Sequence, residues 1–127
     1  MSLWYNRWAL TGRLVRDPGE VRYLPSGEEQ LEFTIAHSRP TGGKSTPPQV
    51  AFVDVVTRGR QAVACAKNLR KGSPVLVDGE SWQMSYQTAG TITSKKRIIL
   101  RARIVLFLNL AVDIPPADEP GGVEIPE

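Results

Sequence analysis

The stretch Asp17–Pro40, DPGEVRYLPSGEEQLEFTIAHSRP, decides how the chain folds. Asp17-Pro18 breaks any strand before it, because proline brings no N–H to a ladder and restricts the residue it follows. A short extended piece comes next at Val21, Arg22 and Tyr23. Pro25-Ser26-Gly27 then reverses the chain: Pro25 fixes φ, and Gly27 accepts the positive φ of a tight turn. Beyond the turn, Leu31, Phe33 and Ile35 alternate with Glu32, Thr34 and Ala36. That period of two marks a strand with one buried face, predicted over Gln30–Ser38. A loop takes over at Arg39-Pro40. The whole is a strand–turn–strand corner.

Working outward, residues 4–16 (WYNRWALTGRLVR) read as a strand with Trp8, Leu10, Gly12 and Leu14 on one face. Gly12 marks a bulge or a tight bend of a barrel wall. On the other side, residues 40–48 (PTGGKSTPP) contain no large apolar residue and read as a loop. Val50–Thr57 is β-branched and bounded by turns, hence a strand. Residues 59–71 are predicted helical, with Ala62, Ala66 and Leu69 on one face and Val63 beside it. Arg70 and Lys71 are placed in its last turn and Gly72 as its left-handed cap. Pro74–Tyr86 is a strand with a bend at Gly79, residues 87–90 are a turn, and Thr91–Leu108 returns as a long strand. In that strand Ile98, Leu100, Ala102, Ile104 and Leu106 are expected inward, and Arg97, Ile99, Arg101 and Arg103 outward. The predicted fold is all-β: a five-stranded Greek-key barrel of the oligonucleotide/oligosaccharide-binding (OB) type, with one helix between strands 3 and 4.

A chain of 127 residues accommodates one domain, placed at residues 1–108. Residues 109–127 hold four prolines, two glycines and five acids without a single Lys or Arg, and are expected to form a disordered tail. All 16 Lys and Arg precede Ala111, where they outnumber eight acids. A basic body of this kind suits a polyanionic partner. With one cysteine, Cys65, no internal disulfide is possible, which fits a reducing compartment. The longest apolar run, Ile104–Leu108, is too short to span a bilayer, and the N-terminus lacks a signal pattern. A cytoplasmic, nucleoid-associated protein is the expectation.

The inventory for catalysis is poor. His37 has no Cys or acid cluster with which to hold a metal and reads as an exposed or hydrogen-bonded side chain. Cys65 lies beside the apolar helix face as a packed thiol. Gly42-Gly43-Lys44-Ser45 lacks the spacing and the following helix of a phosphate-cradling loop. No cofactor and no enzymatic activity are expected. The inventory for binding is richer, since single strands are held by cations along a groove and by flat rings on which bases stack.

Three blocks carry a resemblance to the bacterial-type single-stranded DNA-binding proteins. They are NRWALTGRL (Asn6–Leu14), the DPGEVRYLPSG…FTIAHSRP corner (Asp17–Pro40), and NLRKGSPVLVDG (Asn68–Gly79). They stand in the family's order and cover roughly residues 6–108. The resemblance implies binding of single-stranded DNA without sequence preference, during replication, recombination and repair. It also implies a homotetramer built from dimers. Its stacking positions fall on Phe52 and Tyr86, and Trp82 adds a ring where the family often has a basic residue. Phe52 and Trp82 read equally well as core or subunit-interface residues. The phosphate-contacting candidates are Arg7, Arg22, Arg39, Lys44, Arg58, Arg60, Lys71, Lys95, Lys96 and Arg97. Thr41 stands where some members carry an aromatic loop residue, and Arg58 replaces another ring. Gly19 is an extra residue in the corner. Members usually end in Asp-Asp-Asp-Ile-Pro-Phe and recruit replication and repair proteins through it. This chain ends Ile125-Pro126-Glu127 without the Phe, which counts against such docking. The alternative reading is an accessory protein similar to primosomal restart factors, acting mainly through protein contacts.

Overall fold

A computed structural model describes residues 3–40, 42–43, 46–87, 90 and 94–108. The predicted tail, Lys44 and Thr41 lie outside the described residues, as does the ring of Tyr86. Strand β1 is Trp8–Leu14, the two-residue β2 is Arg22–Tyr23, and β3 is Glu29–Arg39. After β4 (Gln49–Arg58) come helix α1 (Arg60–Asn68), β5 (Pro74–Gln87) and β6 (Ser94–Phe107).

Alternation sorts the side chains and pairing closes the wall. The sheet runs β1-β5-β6-β4-β3-β2, and β1 also pairs with β3, so the five long strands form a barrel with β2 extending its edge. The β4–β6 pair is parallel (Val55↔Leu100, Val56↔Arg101), and the other pairs are antiparallel. The corner behaves as its sequence requires: Gly27 has φ 92°, and Arg22 pairs with Gln30 across the turn. Inside the barrel Leu31, Phe33, Ile35, Val53, Val55, Val75, Val77 and Leu100 make one apolar cluster, closed at one end by Ala62, Cys65 and Leu69. This is the predicted OB-type barrel with its helix between the third and fourth long strands.

Three expectations need correction. The helix stops at Asn68, so Lys67 is the base in its last turn, and Arg70 and Lys71 lie beyond it. Leu69 leaves the helix in extended conformation, because its side chain is drawn into the core. Gly72 does have positive φ (87°), but it turns the chain back toward β1, its N–H donating to the Leu14 carbonyl at 2.8 Å. The first strand is also shorter than predicted, starting at Trp8.

The third correction concerns β6. Asp78 pairs with Ile104 but Gly79 pairs with Ala102, so Arg103 is an extra residue and the strand changes phase there. Leu100 faces the core as predicted; beyond the bulge Val105 points in, while Ile104 and Leu106 point out and are exposed. Ile98 is exposed as well, lying past the barrel's packed centre. Gly79 is what lets the strands close at the bulge, since a Cβ there would lie 2.0 Å from the Arg101 carbonyl oxygen.

Candidate nucleic-acid interface

Because β3, β4, β6 and β5 are neighbours, their outward residues form one continuous surface. A row crosses all four strands: Glu32 is opposite Val56, Val56 opposite Arg101, and Arg101 opposite Glu80. Next to it on the same side lie Thr34 opposite Asp54, and Trp82 opposite Ile99. Phe52, opposite Ala36, continues the β4 part of the face.

Two of the three predicted rings stand open on this surface. Phe52 is 70% exposed and Trp82 is 47% exposed, which excludes a core role within this chain for either. Tyr86 pairs in register with Lys95 at the far end of β5. Trp82 does not stand alone, because the Arg101 guanidinium carbon lies 3.9 Å from its ring centroid. Arg101 in turn donates through Nε and Nη2 to the Glu80 carboxylate. One face of the indole is therefore held by a cation–π contact, itself fixed by an ion pair. Beneath this layer Val56 and Ile99 are only 2% and 1% exposed although they lie outside the core cluster. Their cross-strand neighbours Arg101 and Trp82 are the side chains placed to cover them.

The predicted cations separate into groups. Arg97 is on the face, but clamped: Nη2 lies 2.6 Å from Glu32 and Nη1 lies 2.7 Å from Asp54. Thr34 Oγ1 donates to the other Asp54 oxygen at 2.7 Å. Burial alone pulls the Arg97 pKa down, but hydrogen bonds to and charges on Glu32 and Asp54 outweigh it and hold the guanidinium above its usual value. Arg22, Gln30 and Arg58 form a further registered row at one end of the face, where Arg58 Nε donates to Gln30 at 3.3 Å. Lys95 shares the face with Arg97, while Lys96 alternates away from it.

The remaining candidates are elsewhere. Arg7 precedes β1 and pairs with Asp78 at 2.9 Å. Arg39 ends β3 beside His37. Arg60 opens the helix, and Lys71 sits at the barrel's other end, where its backbone N–H donates to Asp17. Arg39, Arg60 and Lys71 do not join the Phe52–Trp82 surface, whereas Arg7 lines a cleft together with Val56, Glu80 and Arg101.

His37 and Cys65 are hydrogen-bonded and packed, as their sequence context suggests. His37 Nδ1 donates to the Thr11 carbonyl at 2.8 Å. Cys65 is fully buried, and burial pushes its thiol up to about 11. No group of three or more His, Cys, Asp or Glu is placed to hold a metal among the described residues. None of the described helices is long and apolar enough to cross a membrane. Sequence reasoning missed the acids. Glu32, Asp54 and Glu80 had no assigned role, and the structure shows each one bound to an arginine of the face.

The fold is an OB-type barrel, a class some of whose members take oligonucleotides or oligosaccharides across their strands, and this one carries open rings and arginines on its outer wall. The description "Single-strand binding protein family" matches residues 5–108, and the chain belongs to that family. It is similar to the single-stranded DNA-binding protein of Thermotoga maritima, at 36% identity over 128 residues covering 97% of this chain and 87% of that protein. It also resembles the single-stranded DNA-binding protein of Halalkalibacterium halodurans (41% over 81 residues, 64% of this chain and 48% of that protein). Single-stranded DNA-binding protein A of Bacillus subtilis is similar too (40% over 82 residues, 65% and 47%). The match thus spans about half the length of the last two relatives.

Proposed function

We propose that this chain binds single-stranded DNA without sequence preference, coating and protecting it during replication, recombination and repair, and that it works by binding and not by catalysis. The observation that carries the reading is the pair of exposed rings, Phe52 and Trp82, on one arginine-bearing face. Bases stack on such rings whatever their identity, and arginines meet the phosphates between them. Tyr86, Lys95 and Lys44 are further candidates for the same strand, Tyr86 as a stacking ring and the two lysines as phosphate contacts. Arg22, Arg58 and Arg97 supply the phosphate contacts on the face, with Arg7, Arg39, Arg60, Lys71 and Lys96 more remote. The assembly is a homotetramer of paired dimers, located with the nucleoid in the cytoplasm. The names of the relatives support the ligand class.

The test is titration of intrinsic Trp fluorescence with oligo-dT of graded length at several salt concentrations. Emission is expected to fall on binding, and affinity to fall with salt by about 0.7 log units per log unit for each phosphate neutralised. Absence of binding at low salt would sink the reading.

Neutralisation of Arg97 by Glu32 and Asp54 gives a sharper expectation. Converting both acids to amides, Glu32→Gln with Asp54→Asn, removes the two negative charges set against this guanidinium. Binding to oligo-dT should tighten several-fold and the salt slope should steepen by about 0.7. An unchanged slope means that Arg97 meets no phosphate. The same clamping favours a second reading, an accessory protein acting through protein contacts, because it leaves the face less positive than its arginines suggest. Strong retention of replication proteins together with weak oligo-dT binding would favour that reading.

A further inference from the structure

A second feature lies beside the stacking face and shares Arg58 and Arg101 with it. The segment Trp4–Arg7 crosses to β5, where Asn6 fixes it: Nδ2 donates to the Ser81 carbonyl at 2.8 Å, and Oδ1 accepts the Ser81 N–H at 2.8 Å. Arg7 and Arg103 both reach the same Asp78 oxygen, at 2.9 and 3.2 Å. So tethered, the segment holds the rings of Trp4 and Tyr5 82% and 89% exposed. They border a cleft of about 910 Å³, walled by Arg58, Arg101 and Arg103 over Val56. Two large rings kept in water add nothing to the core, and contiguous exposed apolar surface usually marks an interaction site.

Charge chooses the occupant. Arginines outnumber the acids in the cleft lining, where only Glu28 and Glu80 are negative, so an anion is favoured. Continuity narrows it further. Arg101 both lines the cleft and covers Trp82, so a strand lying on Trp82 reaches the cleft without leaving the cationic surface. We infer that the cleft is a binding site for additional nucleotides of the same single strand, with a base against Trp4 or Tyr5 and phosphate on Arg58 and Arg103. This rests on the single-strand reading above and lengthens its path by a site outside the predicted rings.

Both rings are exposed, so Trp4→Ala with Tyr5→Ala should leave folding intact, which thermal unfolding of the full chain checks. Stacking is worth about 1–3 kcal/mol per base, or roughly 5- to 150-fold at about 1.4 kcal/mol per decade. The double variant is therefore expected to bind oligo-dT at least about 5-fold more weakly, with sedimentation unchanged. In addition, the emission due to Trp4, taken as the difference between parent and Trp4→Phe, should be quenched by oligo-dT. Trp4 emission that ignores oligo-dT, or a double variant that binds as the parent does, overturns the assignment. Altered sedimentation with Trp4 unquenched would give the rings to a subunit contact instead. If the parent itself fails to bind oligo-dT, the single-strand reading falls and this site falls with it, whereas normal parental binding with an indifferent Trp4 removes only the cleft.

Discussion

A Gly79→Ala variant is expected to lose about 3 kcal/mol of stability, the upper end of typical overpacking costs, and to melt on the order of 10 °C lower. The added Cβ would lie 2.0 Å from the Arg101 carbonyl oxygen and 2.9 Å from Ala102 Cα. Neither atom can yield, because both belong to the backbone of the strand paired with β5. The site is also where the β5–β6 register shifts, so relaxation would have to reopen the bulge. Gly19→Ala is the control, since a Cβ there meets nothing within 4 Å and its melting should match the parent. Gly12→Ala falls between the two, with the Ala36 carbonyl oxygen at 2.8 Å. Equal melting temperatures for Gly79→Ala and the parent would contradict the close approach of β5 and β6.

Phe52→Ala and Trp82→Ala should each weaken oligo-dT binding by about 1–3 kcal/mol. Phe52 is the cleaner test: it is mostly exposed, so its loss should change Kd without moving the melting temperature. Trp82 has two jobs. In the proposed reading it offers a ring to a base, and in the fold it seats Arg101 and stands opposite the buried Ile99. Its truncation should therefore lower affinity and also cost some stability. Trp82→Phe should restore much of both, as a smaller ring can do each in part. The paired truncation need not show the sum of the single effects, because neighbouring contacts on one bound strand couple. Parental affinity in Phe52→Ala would remove the face from the binding path.

The same residues explain what the sequence disclosed. Leu31, Phe33 and Ile35 alternate without interruption, and that part of the barrel emerged as read. Gly27 and Gly79 marked a turn and a bend because only glycine fits those backbones. The second half of β6 misled because IVLFL is apolar on both faces, so periodicity carries no phase there, and Gly79 marks a bend in β5 without showing which residue of β6 is the extra one. The helix end misled because Leu69, apolar and suitably spaced, serves the core from an extended backbone. Exposed rings could be named but not placed: Phe52 and Trp82 suit a core as well as a surface until the register is known. Trp4 and Tyr5 were read into the first strand and given no role, since their context is made by Ser81 and Arg101, distant in the chain.

The acid–arginine pairs on the outer wall have one more consequence. An arginine already seated against Glu32, Asp54 or Glu80 carries a built-in counterion. A phosphate arriving there evicts a carboxylate instead of sending a salt ion into solution, and the evicted carboxylate gathers a cation of its own. The entropy that normally drives polyanions onto basic proteins, and that salt erodes, is correspondingly small at these positions. At these positions the hold on a strand is expected to rest on ring against base, which ionic strength affects less than it does the contacts of arginines without an acid partner.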